Sequence, residues 1–367
     1  MENMEVMSDL NNFYRDKRVL ITGHTGFKGS WLVSYLLELN ATVAGYSLAP
    51  KKEQNLFDLL ELENKCQHSI GDIRNLPNLK KVINDFQPDI IFHLAAQALV
   101  KSSYEDPIDT YSTNVLGTAN LLEATKGIKG SCAVVVITTD KVYHNEEWAY
   151  PYRENDRLGG YDPYSSSKAC CELLTASFRN SFFPVPDFKQ HQTAIATARS
   201  GNVIGGGDWS EFRIIPDIVR ALVEGKTITL RNPASVRPWQ HVLDPLYGYL
   251  LLGAKLSESP EHFSEAWNFA PMSTEHITVE QLTKQAIQIW GEGEFEQYRA
   301  PKDHLQHETS LLTLDASKSS KLLAWKPVYD GWAAIEHTIQ WYKDFHAMAD
   351  VTKLVNSDIK SHLKNLK

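Results

Sequence analysis

The sequence predicts an α/β fold: a doubly wound parallel sheet with a smaller C-terminal α/β substrate domain interleaved with it. Three observations carry this. Strand-length apolar runs alternate with helical ones from Arg18 onward. Those runs are apolar at nearly every position, as strands covered on both faces are. A glycine turn also joins the first strand directly to the first helix, the place where an open parallel sheet takes a ligand.

Arg18 to Thr22 (RVLIT) is the first strand. Ser30 to Leu39 follows as a helix, because Trp31, Leu32, Tyr35, Leu36 and Leu39 recur at three-to-four spacing. Thr42 to Tyr46 is the second strand, and another strand precedes Asp72. Asp89 to His93 and Ala133 to Thr138 are strands separated by a helical segment, Thr110 to Lys126. A helix rich in Ala, Leu and Ser runs from Tyr164 to Phe178, and Thr193 to Thr197 is the next strand. From Gly205 the texture changes to a glycine turn, aromatic residues and Pro216, Pro233, Pro238 and Pro245. Ala266 to Ala270 reads as a strand returning to the first sheet, so the domains interleave. The expected division is 15–204 plus about 239–272 for a dinucleotide domain, and about 205–238 plus 273–348 for a substrate domain. The tail, 349–367, has the composition of a terminal helix and carries no assigned function.

A chain of 367 residues exceeds the usual size of a single small domain. With 43% hydrophobic and 22% charged residues it is neither disordered nor membrane-like in composition. No apolar run approaches the roughly 20 residues that cross a bilayer. Met1 to Asp16 lack an apolar signal region, so a loose leader and a cytoplasmic location are expected. The net charge is -8 and the cations are scattered, which argues against nucleic acid as a partner. Cys66, Cys132, Cys170 and Cys171 lack metal-ligand spacing, and the adjacent pair cannot form an ordinary disulfide; reduced, apolar-type cysteines are expected.

Gly23, Gly26 and Gly29 stand at G-x-x-G-x-x-G spacing between the first strand and first helix. Glycines here let the backbone approach a diphosphate whose charge meets the helix N-terminus. An acidic residue usually ends the second strand of such a site, yet this chain offers Ser47 and then Lys51 and Lys52. That rule alone leaves NAD and NADP open. Asp72 in GDIRN suits either the adenine end of a cofactor or an ordinary turn. HLAAQ brings Ala95, Ala96 and Gln97 to a strand exit, where small residues admit a flat ring; His93 reads first as a core histidine. In YDPYSSSK, Tyr164 and Lys168 sit one helical turn apart. Lowering a phenol from about 10 by three units takes about 4 kcal/mol, which the Lys168 ammonium and an oxidised nicotinamide are expected to supply. The run AVVVITTDKVY ends a strand with Thr139, Asp140 and Lys141, either a polar exit or parts of one site. For a diphosphate, Arg213 and Arg237 are the candidate cations, with Arg231 behind them. Asn202 is a candidate phosphate or sugar contact, and Trp239 packs against a base or in the core. His307 and Glu308 are weaker candidates.

Together, TGHTGFKG, HLAAQ, TTDK and YDPYSSSK resemble the extended short-chain dehydrogenase/reductase (SDR) family, in its nucleotide-sugar branch, from Lys17 to about Tyr342. The longer runs YRENDRLGGYDPYSSSK, GNVIGGGDW, RPWQHVLDPL and LDASKSSKLLAWKP most resemble the 4,6-dehydratases that act on CDP-glucose. The resemblance implies a Rossmann domain with NAD bound, despite the absent acidic residue. The contacts it implies fall at Gly23, Thr25, Gly26, Phe27, Lys28, Gly29, Asp72, Ile73, Ala95, Ala96, Gln97, Tyr164 and Lys168. A CDP-sugar would meet Asn202, Arg213, Arg237 and Trp239. Tyr164 would take the proton of the sugar 4-hydroxyl, Lys168 would hold the ribose, and Thr139 would bond the sugar oxygen. Asp140 would be the general acid at C6. Lys141 would be the base at C5 or the cation that stabilises the charge left there. No metal is implied. The resemblance further implies a homodimer through paired helices and a place in bacterial surface deoxysugar synthesis, as in lipopolysaccharide O-antigen. The alternatives are a dTDP- or GDP-sugar dehydratase, a 4-epimerase, which needs neither Asp140 nor Lys141, and a catalytically silent NAD-binding relative.

Overall fold

The computed structural model describes residues 10–50, 54–271, 277–297 and 311–366. Lys51, Lys52, His307 and Glu308 lie outside the described residues. The strands are β1 (Arg18–Thr22), β2 (Thr42–Ser47), β3 (Gln67–Ile70), β4 (Ile90–His93), β5 (Cys132–Ile137), β6 (Thr193–Ser200), β7 (Val203–Ile204), β8 (Ile228–Leu230), β9 (Gln240–His241), β10 (Ala266–Phe269) and β11 (Phe295–Gln297). Seven of them form one sheet in the order β10-β6-β5-β4-β1-β2-β3, with every neighbouring pair parallel. β7 pairs with β9 and β8 with β11 in two small parallel sheets.

Successive residues of the central strands feed two cores, one on each face of the sheet. Val19, Ile21, Ile90, Phe92 and Val135 pack into one; Leu20, Ile91, Val134 and Val136 pack into the other. Each strand must therefore be apolar throughout, which is why the runs read as they do. The first helix, α1 (Phe27–Glu38), buries Trp31, Leu32, Tyr35 and Leu36 completely. α2 (Leu76–Phe86) covers the other face through Leu79 and Ile83.

Thr110 to Lys126, expected as one helix, is two: Pro107–Tyr111 and α3 (Gly117–Thr125), joined by a π-helical turn at Ser112–Leu116. The turn aims Asn114 inward. Its Oδ1 accepts from the Gln97 amide at 2.8 Å, and its Nδ2 donates to Gln97 O at 3.0 Å and Ser167 Oγ at 2.8 Å. π-Turns recur at functional sites for this reason: one extra residue re-aims a side chain.

Leu10 to Asp16, expected to be loose, are packed instead. Leu10 and Tyr14 are buried, and the Tyr14 hydroxyl donates to Leu250 O at 2.7 Å. At the other end the expected tail helix is Val351–Asn365, with His362 fully buried and its Nε2 3.0 Å from Asp244 Oδ1. Among the cysteines, all reduced, Cys132 and Cys171 are buried.

One buried ion pair binds the sheet to α4 (Pro163–Ser181). Glu172 on α4 and Arg199 on β6 are each 3% exposed and meet at 2.8 Å. The Glu172 carboxylate also accepts from Thr138 Oγ at 2.5 Å and Thr197 Oγ at 2.7 Å, and Arg199 Nη1 donates to the Tyr143 hydroxyl at 2.7 Å. The network holds the chain on both sides of Thr139 to Lys141. Replacing Glu172 by Ala strands the guanidinium without a counter-charge, and urea denaturation is expected to show a loss of about 3–5 kcal/mol.

Candidate functional site

The chain runs from β1 outward to β2 and β3, then returns to β4 on the opposite side of β1. The crevice at the carboxyl ends of β1 and β4 is thus the topological switch point. Gly23 stands there with φ +77°, and a Cβ on it would lie 2.7 Å from the Ala95 nitrogen. A Cβ on Gly29 would lie 2.2 Å from the Gly23 oxygen. α1 begins in the crevice with Gly26 at its N-cap and no side-chain cap, so its first amides are open to an anion. These residues fit the diphosphate of a dinucleotide.

At the end of β2, Ser47 Oγ and Thr25 Oγ share a hydrogen bond of 2.7 Å. Asp72 is bridged by Arg74 at 2.6 Å, whose hydrogen bonds hold its carboxyl below the usual range. Arg74 also reaches Asp109 at 2.6 Å. His93 is a core residue: its ring nitrogens meet Thr22 Oγ at 2.7 Å and Thr118 Oγ at 3.0 Å, and burial pushes its pKa down to about 3.

Across the crevice, Asp162 caps α4 by accepting from the Ser165 amide and hydroxyl. Tyr164 and Lys168 follow on one face, 9% and 6% exposed. Lys168 Nζ donates to the carbonyl of Ile137, the last residue of β5, at 3.0 Å. Burial lowers the Lys168 pKa. Thr139 is hydrogen-bonded to Tyr164, and its Oγ donates to Asp140 Oδ1 at 2.8 Å. Asp140 is 2% exposed, and a Cβ on Gly201 would lie 3.3 Å from its Oδ2. Lys141 is half-buried on the single turn Asp140–Val142.

Burial pushes the Tyr164 hydroxyl up to about 12; the Thr139 hydrogen bond and the Arg213 charge pull it down, against Asp140 and Asp162. Arg213, read from sequence as a diphosphate contact, thus also faces the phenol. It is held by Asp208, Nη1 to Oδ2 2.9 Å, and the Asp208 amide donates to the Tyr342 hydroxyl at 2.9 Å.

Lys28 Nζ donates to Ser200 Oγ at 3.1 Å and lies 3.5 Å from the Tyr249 hydroxyl. Burial, with the charges of Arg213 and Lys168, pushes its pKa down to about 7, and Asp140 opposes this. Between pH 7 and the unfolded value near 10.4, the unfolded chain then holds a proton that the folded chain has lost, so stability rises with pH. Lys28→Met removes that dependence. Its urea midpoint is expected to exceed that of the parent chain most at pH 7 and to draw steadily closer to it as pH rises toward about 10.4; a constant difference over that range would contradict the enclosed ammonium.

On the far wall, Arg237 Nη1 donates to Val236 O at 2.8 Å, and Trp239, 3% exposed, spends its indole N–H on Ile277 O at 3.2 Å. Arg231 and Asn202 open to the same space. Among the described residues, the catalytic, cofactor and substrate candidates named from the sequence all line this one cleft, of about 1810 Å³; His307 and Glu308 lie outside those residues. A drug-sized ligand occupies roughly 300–1,000 Å³, so the cleft has room for two large ligands side by side. Asn114 and Asp208 were missed: a lone Asn in a helical run and an Asp in a glycine turn each look ordinary until a partner 50 or more residues away is known, as Ser167 is for Asn114 and Tyr342 for Asp208.

The family model described as GDP-mannose 4,6 dehydratase matches residues 20–338. A CDP-glucose 4,6-dehydratase of Salmonella typhimurium is 46% identical over 332 residues, covering 90% of this chain and 92% of that protein. A dTDP-glucose 4,6-dehydratase from Streptomyces venezuelae, solved with NAD and TYD bound, superposes with a TM-score of 0.75 at 24% identity, covering 90% of this chain and 98% of that one. A UDP-glucose 4-epimerase from Thermotoga maritima, solved with UDP-glucose, does so with 0.74 at 21%, covering 90% and 99%. Named for different reactions, the two superpose equally well, so the fold alone does not separate them. The matched model and the 46% identity across nine-tenths of the sequence establish that the chain belongs to the GDP-mannose 4,6 dehydratase family, in the nucleotide-sugar branch of the extended short-chain dehydrogenases/reductases.

Proposed function

We propose that this chain dehydrates CDP-D-glucose to CDP-4-dehydro-6-deoxy-D-glucose with NAD as a recycled cofactor. One observation carries the reading: Thr139, Asp140 and Lys141 leave β5 together into the cleft that Tyr164 and Lys168 line from α4. The Salmonella relative, named for CDP-glucose, supports the choice of nucleotide. The residues that would hold the cofactor are those of the glycine turn and α1 start, Asp72, Ala95 to Gln97 and Lys168. Bound there, NAD would supply the hydride acceptor for sugar C4 and the hydride donor for C6.

Tyr164 takes the proton of the 4-hydroxyl, with Thr139 bonding the same oxygen. A ketone at C4 acidifies the C5 proton, and Lys141 removes it. Asp140 protonates the departing 6-hydroxyl, which leaves as water. Arg213 and Arg237 neutralise the substrate diphosphate. An epimerase has no use for an acid and a base at the last two positions.

The test is incubation with CDP-, dTDP-, GDP- and UDP-glucose and catalytic NAD, followed by mass analysis. Loss of one water from CDP-glucose, with deuterium placed at C4 recovered at C6, is expected. An isomer of unchanged mass would favour an epimerase, and label found in solvent would remove the closed hydride cycle.

The reading includes a cytoplasmic homodimer. Ile108 and Leu116 on the helical run 107–125, Leu173 on α4 and Phe182 just past its end are 49–77% exposed. Such side chains suit a helix-paired contact. Light scattering at the monomer mass would remove it. Among the described residues, no helix is long and apolar enough to cross a membrane.

A further inference from the structure

The rim of the cleft carries a contact that none of this chemistry uses. Lys101, on the short helix Val100–Glu105 that follows β4, places its ammonium 3.6 Å from the ring centroid of Phe212. Both side chains line the cleft, one from each side of it. Phe212 ends the segment that joins β7 to α5 (Ile214–Val223), and Arg213 comes next.

That segment is fixed at its base. The Trp31 indole donates to Gly206 O at 2.8 Å, and Trp209 packs against Trp341, Tyr342 and Phe345 with ring centroids 6.2, 6.2 and 5.5 Å away. Its tip is held differently. Phe212 is 43% exposed and has φ +61°, a left-handed conformation that costs a bulky side chain and persists only where its surroundings enforce it. The partner across the cleft is an ammonium on a ring face, a contact that multiplies an equilibrium by only about two- to fivefold at an exposed site. It is strong enough to bias a rim closed and weak enough to open in every turnover.

We propose that Lys101 and Phe212 form a clasp that admits the nucleotide sugar and then retains the oxidised sugar until its water has left; this rests on the dehydratase reading. The chemistry supplies the need. After C4 oxidation the sugar has lost two hydrogens, one as hydride to the nicotinamide and one as a proton to Tyr164. A ketone that escapes at that point leaves the cofactor reduced and the protein unable to start again. A simple dehydrogenase must release its ketone; here the ketone must stay. Lys101 and Phe212 are positioning residues in this sense, touching neither proton nor hydride.

The experiment compares the parent chain with Phe212→Ala, Lys101→Met and Lys101→Arg. It measures the ratio of released 4-keto sugar still bearing its 6-hydroxyl to 4-keto-6-deoxy product, the single-turnover rate of C4 oxidation, and the dissociation rate of CDP. Phe212→Ala and Lys101→Met are expected to raise the ratio and the CDP dissociation rate about two- to fivefold with C4 oxidation unchanged, and Lys101→Arg to restore both. A ratio and dissociation rate that do not move, in variants that dehydrate normally, would overturn the clasp alone. Equal loss of C4 oxidation in both variants would mark a structural role and overturn it too. A parent chain that dehydrates no nucleotide sugar would end both readings.

Discussion

Tyr164→Phe is expected to lower kcat by about a thousandfold, within the 10²–10⁴ range of a positioned proton-transfer group, while CDP binding changes less than about threefold. The substitution keeps the ring, which is nearly buried, and removes only the hydroxyl that meets Thr139. In the free chain burial holds that hydroxyl up near 12, so the working phenolate must be bought by the cations around it. Arg213 faces it already, and an oxidised nicotinamide adds a second positive charge only when bound. On the proposed reading the deprotonated form is the active one, so the C4 oxidation rate of the parent chain is expected to rise with pH toward the phenol's value in the complex. The variant is expected to lose that rise. Single-turnover formation of reduced nicotinamide measures both, and a loss below tenfold would take Tyr164 out of the proton-accepting role.

Lys141→Met separates the two halves of the reaction. C4 oxidation is expected to survive within about fivefold, because the side chain lies on the turn beyond Thr139 and outside the Tyr164 hydrogen bond. Dehydration is expected to fall by about 10²–10⁴. The decisive readout is exchange of the C5 proton with deuterated solvent, which should stop. Exchange at the parent rate would exclude Lys141 as the base and leave it the electrostatic role. Asp140→Asn gives the complementary pattern, with C5 exchange continuing while water loss slows.

Much of the scaffold was legible because a parallel sheet buried on both faces demands uninterrupted apolar runs, and β1 is read to its ends, Arg18 to Thr22. The strand read at Ala266 to Ala270 was visible too, despite Asn268 within it, and Ala266–Phe269 does pair with β6. The π-turn at Ser112–Leu116 was not, since it leaves composition untouched and the phase change it makes has too few apolar residues on either side to be seen as a break. Leu10, Phe13 and Tyr14 looked like part of a leader because three apolar residues, even at helical spacing, are too short a run to stand as an element by themselves; the Leu250 carbonyl and the core give them their place. Within the cleft, motif spacing located Tyr164, Lys168 and the glycine turn. Spacing could not reveal that Lys28 has an enclosed ammonium or that Arg213 faces Tyr164, because those are properties of charges brought together from distant segments.

Thr139 has a single hydroxyl proton and two neighbours that can accept it. With Tyr164 neutral, that proton goes to Asp140 Oδ1. A phenolate at Tyr164 is a competing acceptor, and when Thr139 turns toward it, Asp140 Oδ1 is released to another donor. If Tyr164 and Asp140 act as proposed, oxidation at C4 would also set the order of events: the hydroxyl would be an interlock, tying Asp140 to Thr139 until the phenolate has formed.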